Sequence, residues 1–113
     1  MRIVQKSQVQ QHSNNENCVV FGYPSDDKEM NGAVAEITGR YPSQGRVTNL
    51  KCKEMGYVIK GSGKVVVEGV EVPLNEGDLV VIEPGEKYHW EGTLTVFLPC
   101  TPAWYPEQHR QVN

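Results

Sequence analysis

Apolar residues along this chain come in short, closely spaced runs interleaved with polar ones, and none recurs at a helical period over a useful length. Cys18–Tyr23 is a β-type run closed by the turn cluster Pro24-Ser25-Asp26-Asp27. Ala33–Thr38 predicts another strand, ended by Tyr41-Pro42-Ser43-Gln44-Gly45. From Arg46 the signals crowd together. Arg46–Lys53 and Tyr57–Lys60 alternate, with a break at Gly61-Ser62-Gly63. Lys64–Glu68 and Val70–Val72 flank Glu68-Gly69, a hairpin turn. Leu79–Ile82 follows Glu76-Gly77-Asp78, and Thr93–Pro99 follows Glu91-Gly92. Short strands punctuated by glycine predict an all-β sandwich or barrel over residues 18–113. Residues 1–17 include a Gln/Asn-rich stretch with little to bury, expected as a polar N-terminal arm or edge segment. The tail from Thr101, with Pro102 and Pro106, is expected to be irregular, Trp104 and Tyr105 lying on the barrel.

Composition narrows the partners. At 113 residues the chain has length for one core, and its net charge of −3 comes without any basic run. Nucleic acid and anionic lipid are therefore not expected partners. No apolar run approaches the length needed to cross a bilayer. The start, Met1-Arg2-Ile3-Val4-Gln5-Lys6, turns polar at once, so no secretory signal is expected. Cys18, Cys52 and Cys100 are widely spaced and form no Cys-x-x-Cys pair, which predicts reduced thiols in a cytoplasmic protein.

The glycine framework carries a resemblance. Glu54, six residues and Gly61, then Gly77-Asp78, Pro84 and Gly85, resemble the two motifs of the cupin superfamily. The segment Cys100–His109 is similar to the tails of small single-domain bacterial cupins. The resemblance implies a cupin-type double-stranded β-helix, that is, a jelly-roll barrel. It also implies where the metal ligands of that family would fall. The His-x-His pair lands on Thr48 and Leu50, or on Val47 and Asn49 with one more residue of spacing, and the second-motif histidine lands on Tyr88. The second motif's proline and asparagine land on Glu83 and Gly92. Of four usual ligands only Glu54 is in place. One carboxylate does not hold a transition metal, so no metal and no other cofactor is expected.

Strand alternation sets what else would face the barrel interior. If Glu54 points inward, Cys52, Leu50 and Thr48 share its face, and Lys53, Lys51 and Asn49 share the other. Tyr88 and Trp90 share a face while His89 points away. The expected pocket is thus Thr48, Leu50, Cys52, Glu54, Tyr88 and Trp90, with Glu54 or Tyr88 as the proton-transferring group. Such a lining suits a small polar or sugar-like molecule. The bland alternative is that Tyr88 or a backbone donor merely satisfies Glu54 inside a filled core.

A rebuilt metal centre would draw on Cys52, Glu54 and His89, the last swung inward by a bulge. His12 and His109 are expected at the surface, and Cys100 as an inert buried thiol. Gly61-Ser62-Gly63-Lys64 lacks the spacing of a phosphate loop and is taken as a turn. Three functions remain in contention. The first is a metal-free cupin acting on an organic ligand as an isomerase, epimerase or binding protein. The second is a sensor or interaction module, and the third a metal-dependent enzyme with rebuilt ligands. Tyr57, Ile59 and the Val65–Val67 run are expected on the outside as apolar surface, and resemblance to paired cupins implies a homodimer, with the N-terminal arm as a segment for exchange.

Overall fold

A computed structural model describes residues 1–113. Its strands are β1 (Gln10–Asn15), β2 (Cys18–Tyr23), β3 (Asn31–Tyr41), β4 (Arg46–Asn49), β5 (Lys53–Val67), β6 (Val70–Asn75), β7 (Leu79–Ile82), β8 (Lys87–Thr101) and β9 (His109–Val112). Helix is confined to two 3-10 turns, Lys6–Gln8 and Pro106–Gln108. No helix is long and apolar enough to cross a membrane.

All pairings are antiparallel, and β8 organises them. One edge of β8 pairs with β3 from Trp90 to Cys100, and then with β4 at Lys87 and Tyr88. Its other edge pairs with β5 from Tyr88 to Thr101. Outward from β3 come β2 and β1, outward from β4 comes β9, and β5 carries β6 and β7 on its far edge. The sheet curls into the jelly-roll barrel of a cupin, all-β as the glycine punctuation predicts.

The bending has a local cause. Gly39 of β3, Gly92 of β8 and Gly63 of β5 are register partners in one row across the sheet. A Cβ on Gly92 would collide with the backbone of Ser62 and Gly63, and Gly92 adopts φ +129, open only to glycine. A row of glycines lets the backbones of neighbouring long strands approach this closely. The Glu68-Gly69 hairpin predicted from the sequence is present, both residues at positive φ and linking β5 to β6.

The core holds Ile37, Val47, Val58, Val65, Leu74, Ile82, Leu94 and Val96, all buried. Alternation along β5 buries Glu54, Gly56 and Val58, and exposes Met55, Tyr57 and Ile59. A bulge between Val58 and Lys60 then shifts the register against β8. That extra residue reverses side-chain parity, so Val65 turns inward and is fully buried. Tyr57 and Ile59 lie outside as expected, and Val65 does not.

The tail departs from the sequence reading, and the N-terminal segment joins the sheet at its edge. Residues 10–15 form β1, which pairs only with β2 of the same chain. The tail is ordered as well. Pro106–Gln108 makes a 3-10 turn and His109–Val112 pairs with β4 as β9.

Candidate functional site

A cavity of about 240 Å³ opens on one side of the barrel. Alternate residues Gln10, His12 and Asn14 of β1 form its exposed mouth. Cys18, Ala35 and Ile37 of β2 and β3 give it a small-residue apolar wall. Glu54 from β5, Tyr88 and Trp90 from β8, and Tyr41 from the end of β3 bring aromatic surface and polar atoms into it. Trp104 and His109 close it from the tail. Gly56, next inward from Glu54 on β5, makes room for the Trp90 ring, which a Cβ there would press at 3.0 Å.

Glu54 is the charged group of the interior, 8% exposed. Its Oε1 meets the Tyr88 hydroxyl across a long 3.5 Å contact, and the Tyr88 hydroxyl in turn accepts from Asn49 Nδ2 at 3.4 Å. Burial with so little compensation disfavours the carboxylate and pushes Glu54 up to about 7, against an ordinary 4.5. Burial, and next the nearby Glu54, drive the Tyr88 phenol well above its usual range. Glu54 therefore exchanges its proton near neutral pH while Tyr88 stays neutral.

Asn49 is the second polar centre, and the alternation argument put it outside. The chain breaks regular pairing at Leu50–Cys52, where it crosses from β4 to β5, so parity is not carried through. Asn49 is buried, and its Oδ1 accepts from His109 Nδ1 at 2.8 Å, Gln108 Nε2 at 2.9 Å and Trp104 Nε1 at 3.3 Å. His109 reaches the Tyr41 hydroxyl through Nε2 at 3.0 Å. Burial lowers the His109 imidazole below its ordinary value and raises the Tyr41 phenol.

The expected pocket is thus assembled in part. Glu54, Tyr88 and Trp90 line the cavity together. Leu50 is 45% exposed on the outside, because it sits in the crossover rather than in a strand. Thr48 is buried, but its Oγ1 lacks a partner and it does not line the cavity. Cys52 is fully buried, its thiol directed at Pro102 O at 3.3 Å, away from the cavity. His109 is a half-buried member of the site and lines the cavity, and His12 stands at the mouth. Tyr41, Asn49 and His109 were missed. The tail Trp104-Tyr-Pro-Glu-Gln-His109 was the available signal, since two aromatic rings and a histidine after a proline break are positioned to fold back on the barrel.

The donor set does not fit the metal of the resembled family. No group of three or more His, Cys, Asp or Glu side chains converges. In particular Cys52, Glu54 and His89 are not brought together. His89 keeps regular register in β8, with no bulge to turn it inward, and its Nε2 bonds Glu91 Oε2 at 2.9 Å. All three thiols are pushed up by burial, Cys18 to about 11, so none is a ready thiolate.

Residues 49–96 match the Cupin domain family. No curated protein sequence matches the chain. Among solved structures, Streptomyces Pac13 superimposes with a TM-score of 0.89 at 18% identity, covering 100% of this chain and 92% of that one. Pac13 is described as a nucleoside dehydratase and has been solved with uridine. The polyketide cyclase RemF from Streptomyces resistomycificus follows at TM-score 0.73 and 17% identity, over 100% of this chain and 86% of its own. KdgF from Halomonas sp. gives 0.70 and 15%, over 90% and 94%. Taken with the barrel topology, the domain match over residues 49–96 and the fold shared with these structures make this chain a small cupin-type β-barrel.

Proposed function

We propose that the barrel binds an uncharged, sugar-bearing molecule of nucleoside size and that Glu54, beside Tyr88, exchanges a proton with it. The observation that carries this reading is a carboxyl held at about 7 facing an open cavity of about 240 Å³. A group that titrates near working pH is suited to giving or taking a proton in a transition state. A carboxyl serving only the core would be more fully hydrogen-bonded than one whose contact is 3.5 Å long.

The lining also argues for the class of ligand. It contains no Lys or Arg, so nothing there offsets a phosphate or carboxylate charge. Trp90, Trp104, Tyr41 and Tyr88 offer ring faces and edges for a planar base or sugar. The volume lies below the ~300–1,000 Å³ of drug-sized sites, which suits a single nucleoside or sugar better than a nucleotide. The fold shared with a nucleoside dehydratase solved with uridine supports the same class. Calorimetric titration with uridine and uridine 5′-monophosphate tests it. Uridine is expected to bind the wild type, to bind Glu54→Gln about tenfold more weakly, and to be preferred over its phosphate. Equal or tighter binding of the monophosphate, or no binding of uridine, would sink the reading.

A further proposal concerns the outer face. Met55 pairs with Val81, and Tyr57 with both Leu79 and Phe97, and all five are exposed. With Ile59 they make one apolar patch across β7, β5 and β8, which a second copy of the chain would cover. Light scattering on the eluted protein should then give about twice the 12.7 kDa of one chain, and Tyr57→Lys should return it to one. A wild-type mass of one chain refutes the pairing. The three free cysteines favour a reducing compartment such as the cytoplasm.

A further inference from the structure

The hydrogen-bond directions around Asn49 are set by groups that act in only one sense. The backbone N–H groups of Lys51 and Cys52 both donate to Gln108 Oε1 at 3.2 Å. The amide nitrogen of Gln108 is therefore the end facing Asn49, 2.9 Å from Oδ1. The Trp104 indole N–H, a donor only, meets the same oxygen. Asn49 thus presents oxygen to His109, and Nδ1 of His109 carries the proton. Nε2 is left with its lone pair, and the Tyr41 hydroxyl donates to it. With its own proton committed to His109, Tyr41 Oη keeps acceptor lone pairs for a ligand, and both residues line the cavity.

We propose that Tyr41, His109 and Asn49 form a second proton-transfer arm of this cavity, with Tyr41 taking a proton from the ligand and passing its own to His109. This rests on the cavity being the ligand site argued above. In the step, a ligand O–H bond breaks with its electron pair kept on that oxygen and an Oη–H bond forms, while the old Oη–H bond breaks and an Nε2–H bond forms. Asn49 Oδ1 holds the resulting imidazolium through Nδ1–H, as a positioning residue. Burial disfavours both a tyrosinate and a resting imidazolium, so Tyr41 stays neutral throughout and His109 starts empty at Nε2.

Long-range nitrogen–proton NMR correlation on imidazole-labelled free protein tests the arm without any ligand. His109 is expected as the Nδ1–H tautomer, titrating below an ordinary histidine. Asn49→Asp should keep that tautomer and raise the midpoint, because a carboxylate favours the imidazolium. The other titratable groups of the lining are Tyr23, Tyr41, Glu54, Tyr88, His12, Cys18 and Cys100, so the titration is repeated in Glu54→Gln and His12→Gln. An Nε2–H tautomer, or a midpoint at or above the ordinary value, overturns the proposal. Uridine is then added. Binding should shift the His109 Nε2 resonance toward its protonated position in the wild type and not in Tyr41→Phe, which should bind about tenfold more weakly. Uridine bound with Nε2 unmoved refutes the arm alone. No uridine bound refutes the ligand reading, and the arm with it.

Discussion

Two polar centres lie within one barrel interior, and they are built to opposite specifications. Around Glu54 the contacts are long, 3.5 Å to Tyr88 and 3.4 Å from Asn49 to Tyr88, and the carboxyl is left near neutrality at about 7. Around Asn49 the bonds are short, 2.8 Å from His109 and 2.9 Å from Gln108, with 3.0 Å between His109 and Tyr41. A saturated centre fixes orientations and stabilises the fold. An under-partnered one stores a desolvation penalty that an incoming ligand can relieve.

The largest effect should come from breaking the saturated centre. Asn49→Leu leaves the buried donor of Gln108 and the half-buried donors of Trp104 and His109 without their common acceptor, and is expected to destabilise the protein by about 4 kcal/mol in urea unfolding. A loss under about 1 kcal/mol would mean the centre is not what holds the tail to the barrel. Next comes the opposite sign at the under-partnered centre. Folded Glu54 keeps its proton up to about 7, whereas the unfolded chain releases it near 4.5. Between those values the folded state binds more protons, so stability falls as pH rises through the window. Glu54→Gln removes that penalty and should be more stable than wild type by up to about 3 kcal/mol at pH 8. The gain should vanish below about pH 4.5, where both forms are neutral. Unfolding curves at both pH values check it, and a variant less stable at pH 8 would mean the carboxylate is well solvated.

A smaller change sharpens the contrast from the rim of the saturated centre. Tyr41→Phe removes one hydrogen bond to His109 and should cost about 1 kcal/mol, measured by thermal unfolding. Leu50→Ser should be the least consequential. It touches neither centre, and a change within about 0.5 kcal/mol with unaltered uridine binding is expected.

The difference between the centres is also the difference between what could and could not be seen along the chain. Glu54, Tyr88 and Trp90 sit in regular stretches of β5 and β8, where period-2 alternation carries a side chain's direction from one residue to the next. Alternation gives the wrong faces for Leu50 and Asn49 because the crossover at residues 50–52 interrupts it. Val65 was assigned outward for a related reason, since the bulge at Ile59 inserts one residue. His109 was sought at the surface because its partners, Asn49 and Tyr41, lie 60 and 68 residues away.

By itself the sequence determined the all-β class, the hairpin at Glu68-Gly69, the cupin glycine framework and the inward carboxyl of Glu54. The first three follow from local periodicity and from backbone conformations that only particular residues adopt, and the last from the resemblance to cupins. Only the tertiary structure decided that Asn49, His109 and Tyr41 meet, that Cys52 and Leu50 leave the cavity, and that Cys52, Glu54 and His89 do not converge on one point. Those outcomes depend on where breaks in strand parity fall and on how a tail packs against distant strands, and neither is encoded in the spacing of neighbouring residues.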